Sequence, residues 1–219
     1  MTAYNNSFLD DISIKIINEN KASDIKDITV ILPSRRAGIY FKKSLSKHLD
    51  KTFFLPKIIT INEFIIQISE CEIINGFEAE LELYSCYKKI NEKPEPLDQF
   101  LNIASTIIND FNLIDKYLLK ADQLLFDLRS IKDIENWSLN NPELTENQNN
   151  FADFWVQLGD LYHMFHGHLK QLNYTTEGHA YRIANAKIAE KASSFIHPLY
   201  FIGLNALSKA EEKIIKCLI

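Results

Sequence analysis

Ser34, Arg35 and Arg36 stand together directly behind a β-branched apolar run, Ile28-Thr29-Val30-Ile31-Leu32. Two guanidiniums and a hydroxyl at a helix start are donors for an anion. Free amides there attract negative charge, and arginine meets phosphate with paired N–H groups. A second apolar run, Phe53 to Ile59, is followed by Thr60 and Asn62, whose side chains also bond phosphate oxygens. In an open parallel sheet, ligands bind beyond the carboxyl ends of the strands. Adjacent strands would therefore offer Ser34, Arg35, Arg36, Thr60 and Asn62 along one edge. The competing reading is that the arginines are solvated and paired with a nearby Asp or Glu. Arginine at a helix start opposes the helix dipole, a mild cost when no anion is present.

Histidine supplies the other concentration of chemistry, at His163, His166, His168 and His179. His163 and His166 share a helix face at i,i+3, with Asp160 one turn earlier, and such a set can ligate a metal. The same residues also fit a partly exposed polar face beside Tyr162 and Phe165. No cysteine accompanies them, and neither a metal nor a cofactor is expected. Glu211-Glu212-Lys213 falls on a helical pattern, whereas metal-dependent nuclease chemistry needs its Glu-x-Lys on a strand. Neither GxxxxGK followed by Ser or Thr nor GxGxxG occurs, and six glycines leave little room for a phosphate cradle. Nucleotide hydrolysis is not expected. There is no GxSxG elbow. Cys71, Cys86 and Cys217 are an odd, unpaired set, read as small buried side chains rather than disulfide or zinc partners.

The elements that must position these residues follow from periodicity. Phe8, Leu9, Ile12 and Ile16 predict a first helix over 8–20. The run at 28–32 has the continuous apolar character of a strand covered on both faces, and Pro33 ends it. Ser34 can cap a helix whose apolar face is Ala37, Tyr40, Phe41, Leu45 and Leu49. A short strand over 53–59, interrupted by Pro56, comes next. Thr60 and Glu63 then form a capping box for a helix through Phe64, Ile65 and Ile68. This is α/β organisation with parallel strands.

From 77 to about 192 the pattern is helical, with no strand expected. Stripes run through Leu83 and Tyr87, through Phe100 to Ile114, and through Phe151 to Phe165 over 148–172. Shorter helices are predicted over 122–134 and 177–192. The α/β pattern returns with a strand at 199–203 and a second capping box, Ser208 to Glu211, opening a helix through Ile214, Ile215 and Leu218. The expected division is an α/β domain made of 1–76 and 193–219, split by a helical insertion, 77–192. The chain ends inside an apolar helix without a cap, so it is expected to be part of a longer protein.

Composition narrows the setting. The 219 residues are 46% hydrophobic and 24% charged, ordinary for a globular protein. No apolar run approaches the roughly 20 residues of a membrane span. No signal peptide is evident at the start, which leaves the cytoplasm as the expected location. A net charge of −5 confines any nucleic-acid contact to a local patch.

Five blocks together carry a family resemblance: ITVILPSRRAGIYFKKSL with LPKIITINEF, then DFNLIDKYLLKADQLLFDLRSIKDIENW, FWVQLGDLYHMFHGHL, GHAYRIA and LYFIGLNALSKAEEKIIKCL. They resemble, over nearly the whole chain, the start of AddB-like proteins, in particular the Bacteroidetes-type PD-(D/E)xK nuclease family. The resemblance implies a degenerate superfamily-one helicase domain: a RecA-like parallel sheet with a helical subdomain inserted. It places LPSRRAG and TINEF where active helicases have DNA-contacting segments. It places Phe201 to Asn205 at the Walker B strand, with Gly203-Leu204 where Asp-Glu would hold magnesium. The implied role is non-catalytic, in DNA repair and recombination, with the nuclease motifs beyond residue 219. The implied partners are single-stranded DNA and an AddA-like helicase–nuclease subunit or the rest of the parent chain. The alternative is a protein-interaction scaffold that binds no DNA.

Overall fold

In the computed structural model, residues 8–21, 23–48, 54–125 and 146–219 are described, with side chains of the long helix from 157 onward. The elements are α1 (Phe8–Glu19), β1 (Thr29–Leu32), α2 (Arg35–Lys47), β2 (Lys57–Thr60), α3 (Ile61–Ser69), β3 (Glu72–Ile73), α4 (Gly76–Ile90), α5 (Leu97–Lys116), α6 (Glu146–Gln171), β4 (Tyr174–Thr175), α7 (Glu177–Lys191), β5 (Leu199–Phe201) and α8 (Lys209–Leu218). A further helical stretch covers 121–125.

The chain is a helix-rich α/β protein with a small three-stranded parallel sheet, in the order β2-β1-β5. Thr29 pairs with Lys57 on one side and Leu199 on the other; Leu32 pairs with Thr60. Parallel strands need crossovers, and α2 supplies the one between β1 and β2. β1 is central, and its alternation splits the core. Ile31 faces α3, α7 and α8 through Phe64, Ile65, Tyr181, Ala184, Ile188, Ala210 and Ile214. Val30 and Leu32 face α1 and α2 through Ile16, Phe41 and Leu45. A third core joins α4, α5 and α6 around Leu83, Phe100, Phe111, Leu161 and Phe165. Among the described residues, no helix is long and apolar enough to cross a membrane.

Both capping boxes form. Thr60 Oγ1 accepts from the Glu63 amide at 3.1 Å, and Glu63 accepts from the Thr60 amide at 2.9 Å. Ser208 and Glu211 repeat the arrangement at α8. Ser34 caps α2 by accepting from the Ala37 amide at 3.2 Å.

Several expectations need correction. The buried stripe of α2 is Gly38, Phe41, Ser44 and Leu45. Tyr40, read as core, is 51% exposed. Gly38 is buried because α2 lies close on β2: a Cβ there would stand 3.2 Å from Ile58 Cγ2. Ser44 is tolerated inside because it donates to Asp10 at 2.6 Å and accepts from Ser13 at 3.0 Å. The second strand begins after Pro56 rather than before it, as the missing proline N–H requires. Phe53 and Leu49 lie outside the described residues, as does 126–134 of the helix expected at 122–134. β4 lies within the stretch read as strand-free. It pairs with β3 in parallel over two residues, too short for a periodicity signal. Of the cysteines, only Cys86 is buried; Cys71 is half-buried and Cys217 exposed, and all three are free thiols.

The helix α7 belongs by position to the 77–192 block, yet Tyr181, Ala184 and Ile188 sit in the core beneath the sheet. Its first turn is pressed on α5, with the Gly178 amide donating to Asn112 Oδ1 at 2.7 Å. A Cβ at Gly178 would stand 2.4 Å from the Asn112 backbone, which explains glycine there.

Candidate nucleic-acid interface

The carboxyl ends of β1 and β2 lie side by side, since Leu32 and Thr60 are paired. Ser34 follows β1, and Thr60 closes β2 while capping α3. Between α2 and the start of α3 runs a groove of about 290 Å³ lined by Ser34, Arg35, Gly38, Ile39, Lys42, Ile58, Ile59, Thr60 and Glu63. Its floor is aliphatic, and its rim holds cations and one carboxylate.

The five expected residues are brought to this edge with distinct local duties. The Ser34 and Thr60 hydroxyls are engaged as helix caps. Asn62 Oδ1 accepts from the Tyr181 hydroxyl at 3.0 Å, tying the edge to α7. Arg35 pairs with Glu63, Nε and Nη2 lying 2.9 and 2.7 Å from Oε1. The Thr60 amide first, and Arg35 after it, hold the Glu63 carboxyl below the usual carboxylate range. The Arg35 side chain is 86% exposed, so the pair contributes at most about 1 kcal/mol and an anion can displace it. Arg36 lies over the Tyr40 ring, 5.8 Å from its centroid.

The structure adds residues that the strand-end reasoning passed over. α2 carries Arg35, Arg36, Lys42, Lys43 and Lys47 and no acidic residue, in a chain of net charge −5. Lys47 pairs with Asp10 at 3.5 Å, but Arg36, Lys42 and Lys43 have no acidic partner among the described residues. All three are exposed, beside exposed Ile39 and Tyr40. The signal was present in the sequence as a cationic helix in an acidic chain.

The histidines are divided among different partners. His163 pairs with Asp122 at 2.6 Å and His168 with Glu82 at 2.6 Å. His166 turns inward to Asp115 of α5, where His179 of α7 joins it; both rings lie 3.2 Å from Oδ2. The Tyr162 hydroxyl and Arg182 Nε each donate to Oδ1 at 2.5 Å. Arg182 Nη2 also donates to the Ile114 and Leu119 carbonyls at 3.1 and 2.7 Å, closing the end of α5. Asp115 is fully buried. Burial alone would raise its carboxyl pKa, but His166 and His179 outweigh that and hold it far below the usual range. Burial lowers His166, which is neutral.

Ligand atoms of Asp115, His166 and His179 lie within 4.8 Å of one another, close enough to ask whether they hold a metal. The ring geometry opposes it. The two imidazoles are stacked with centroids 3.9 Å apart and planes 15° from parallel. Imidazole donates to a metal in its own plane, so near-parallel stacked rings do not aim at one ion. Arg182 already supplies the charge that compensates Asp115. The cluster suits a buried polar clamp joining α5, α6 and α7. The sequence sign of it was Asp115 beside the apolar stripe of α5, an acid where Phe111 and Ile114 face the core.

No protein-family model and no curated protein matches this chain.

Proposed function

We propose that this chain is a non-catalytic, helicase-like DNA-contacting region of the AddB-like kind, with a RecA-like sheet split by the helical block 77–192. It contacts single-stranded DNA along the β1–β2 edge and the outer face of α2, and it docks on an AddA-like subunit or on the rest of its own chain. The observation that carries the DNA contact is the acid-free cationic face of α2 beside paired parallel strand ends. Net-acidic proteins bind nucleic acid only where cations are gathered locally, and α2 is such a place. Arg36, Lys42 and Lys43 are the principal phosphate contacts, with Arg35 available once Glu63 releases it. Ser34, Thr60 and Asn62 shape the edge. Lacking a nucleotide-binding motif, these residues have no motor role.

The test is fluorescence anisotropy with a labelled single-stranded oligonucleotide across a salt series. Each phosphate contact contributes about 0.7 to the slope of log affinity against log salt on single strands. The triple variant Arg36→Ala/Lys42→Ala/Lys43→Ala is expected to flatten the slope by about 2. Glu63→Gln, which frees Arg35, is expected to steepen it by up to about 0.7. Equal slopes in all three proteins would refute the contact and favour the pure interaction scaffold.

A further inference from the structure

We propose that the outer face of α2 reads unpaired bases as well as phosphates, with Tyr40 as the stacking platform; this rests on the reading of α2 as a nucleic-acid face. Tyr40 is half exposed, although an aromatic on a helix beside a core has every reason to turn inward. It is not one turn out of place, because Phe41 next to it is fully buried and fills that role. The Arg36 guanidinium lies over its ring at 5.8 Å, inside the roughly 6 Å reach of a cation–π contact. One residue thus orients the ring and carries a phosphate-binding charge beside it. Ile39, 68% exposed, extends the apolar surface toward the groove.

Cations flanking exposed apolar and aromatic side chains, as Arg36 and Lys42 flank Ile39 and Tyr40, are what a single strand requires. Its backbone takes the charges, and its bases need surfaces that duplex DNA does not. A protein partner with an acidic patch would be served by the cations alone. It would not need the exposed ring of Tyr40, which the i,i+4 spacing on α2 sets beside the Arg36 guanidinium.

The experiment compares two probes of equal length, oligothymidylate and the same phosphodiester chain without bases. Wild type is expected to prefer oligothymidylate and to be competed poorly by duplex. Tyr40→Ala is expected to lose roughly 5- to 160-fold in affinity for oligothymidylate, the range of one base stack. Its affinity for the abasic chain should stay unchanged. Tyr40→Phe, which keeps the ring, is expected to restore the preference. Tyr40 is exposed and its hydroxyl is not needed inside, so unchanged far-ultraviolet dichroism is expected for both variants. Equal wild-type affinity for both probes, or a Tyr40→Ala protein indistinguishable from wild type on oligothymidylate, overturns base stacking while leaving phosphate contact standing. Failure of wild type to bind either probe overturns both.

Discussion

Replacing Asp115 by Asn removes one charge and leaves its surroundings in place. Four side chains converge on that carboxylate: Tyr162, His166, His179 and Arg182. Asparagine keeps the size and one acceptor oxygen but replaces the other oxygen by a donor. With its oxygen toward Tyr162 and Arg182 the amide keeps those two donors and turns its NH2 to the histidines, which must change tautomer to accept; turned the other way, the NH2 faces two donors. Arg182 then keeps its charge with no carboxylate beside it. Breaking a buried pair by removing one partner costs about 3–5 kcal/mol. For a chain of this size each kcal/mol lowers the melting temperature by about 2–4 °C. Asp115→Asn is therefore expected to melt about 6–20 °C below wild type. Calorimetry measures the shift, and urea unfolding at fixed pH gives the free energy. Coupling is tested by adding Arg182→Met to each background: it should cost clearly less in Asp115→Asn than in wild type. A shift under 2 °C, or costs that add within about 0.5 kcal/mol, would refute the clamp.

Two further predictions concern the same frame. Stability should fall with acid in two stages. The unfolded chain protonates His166 near pH 6.5, whereas burial keeps it neutral in the fold, so stability declines as pH drops through that value. Asp115 is depressed in the fold, so its contribution is present above its unfolded value near 3.9 and is lost below it. His166→Gln should weaken the upper stage and Asp115→Asn the lower, both read by urea titrations between pH 8 and 3; unchanged pH profiles in the variants would contradict this. Gly178→Ala should cost about 1–3 kcal/mol, because a Cβ meets the Asn112 backbone at 2.4 Å, whereas Gly38→Ala should cost less, its neighbour being the Ile58 methyl at 3.2 Å. Thermal melts compare them, and equal losses would contradict the difference.

What the sequence made legible was local. Ser34, Thr60 and Ser208 announced their helix starts because a cap needs only a few consecutive residues. The parallel strands were legible because β1 is apolar from Val30 to Leu32, as a strand covered on both faces must be. Tyr40 was misplaced because hydrophobicity assigns an aromatic to the core whenever the spacing nearly permits it. Close packing on Ile58 instead put Gly38 on the inner face and rotated Tyr40 outward. The pairing of Arg35 with Glu63 links residues 28 positions apart and depends on strand register. The Asp115 clamp was hidden for the same reason. Its partners lie at 162, 166, 179 and 182, and only the packing of α5, α6 and α7 brings them together.

That packing also joins the sheet edge to α5 and α6. α7 presents Tyr181 to Asn62 at the sheet edge, while residues 179 and 182 on the same turn grip Asp115. Lys116, next to Asp115, lies over the Tyr181 ring at 4.9 Å and pairs with Glu177 at 2.5 Å. A rotation of α7 that relieved one set of bonds would break the other, since residues this close along a helix turn together. The position of Asn62 at the edge is therefore held from α7, through Tyr181. Loss of the Asp115 carboxylate removes the hold on residues 179 and 182, while the Gly178–Asn112, Lys187–Ser69 and Asn185–Ala210 bonds and the buried face of α7 still keep Tyr181 against Asn62.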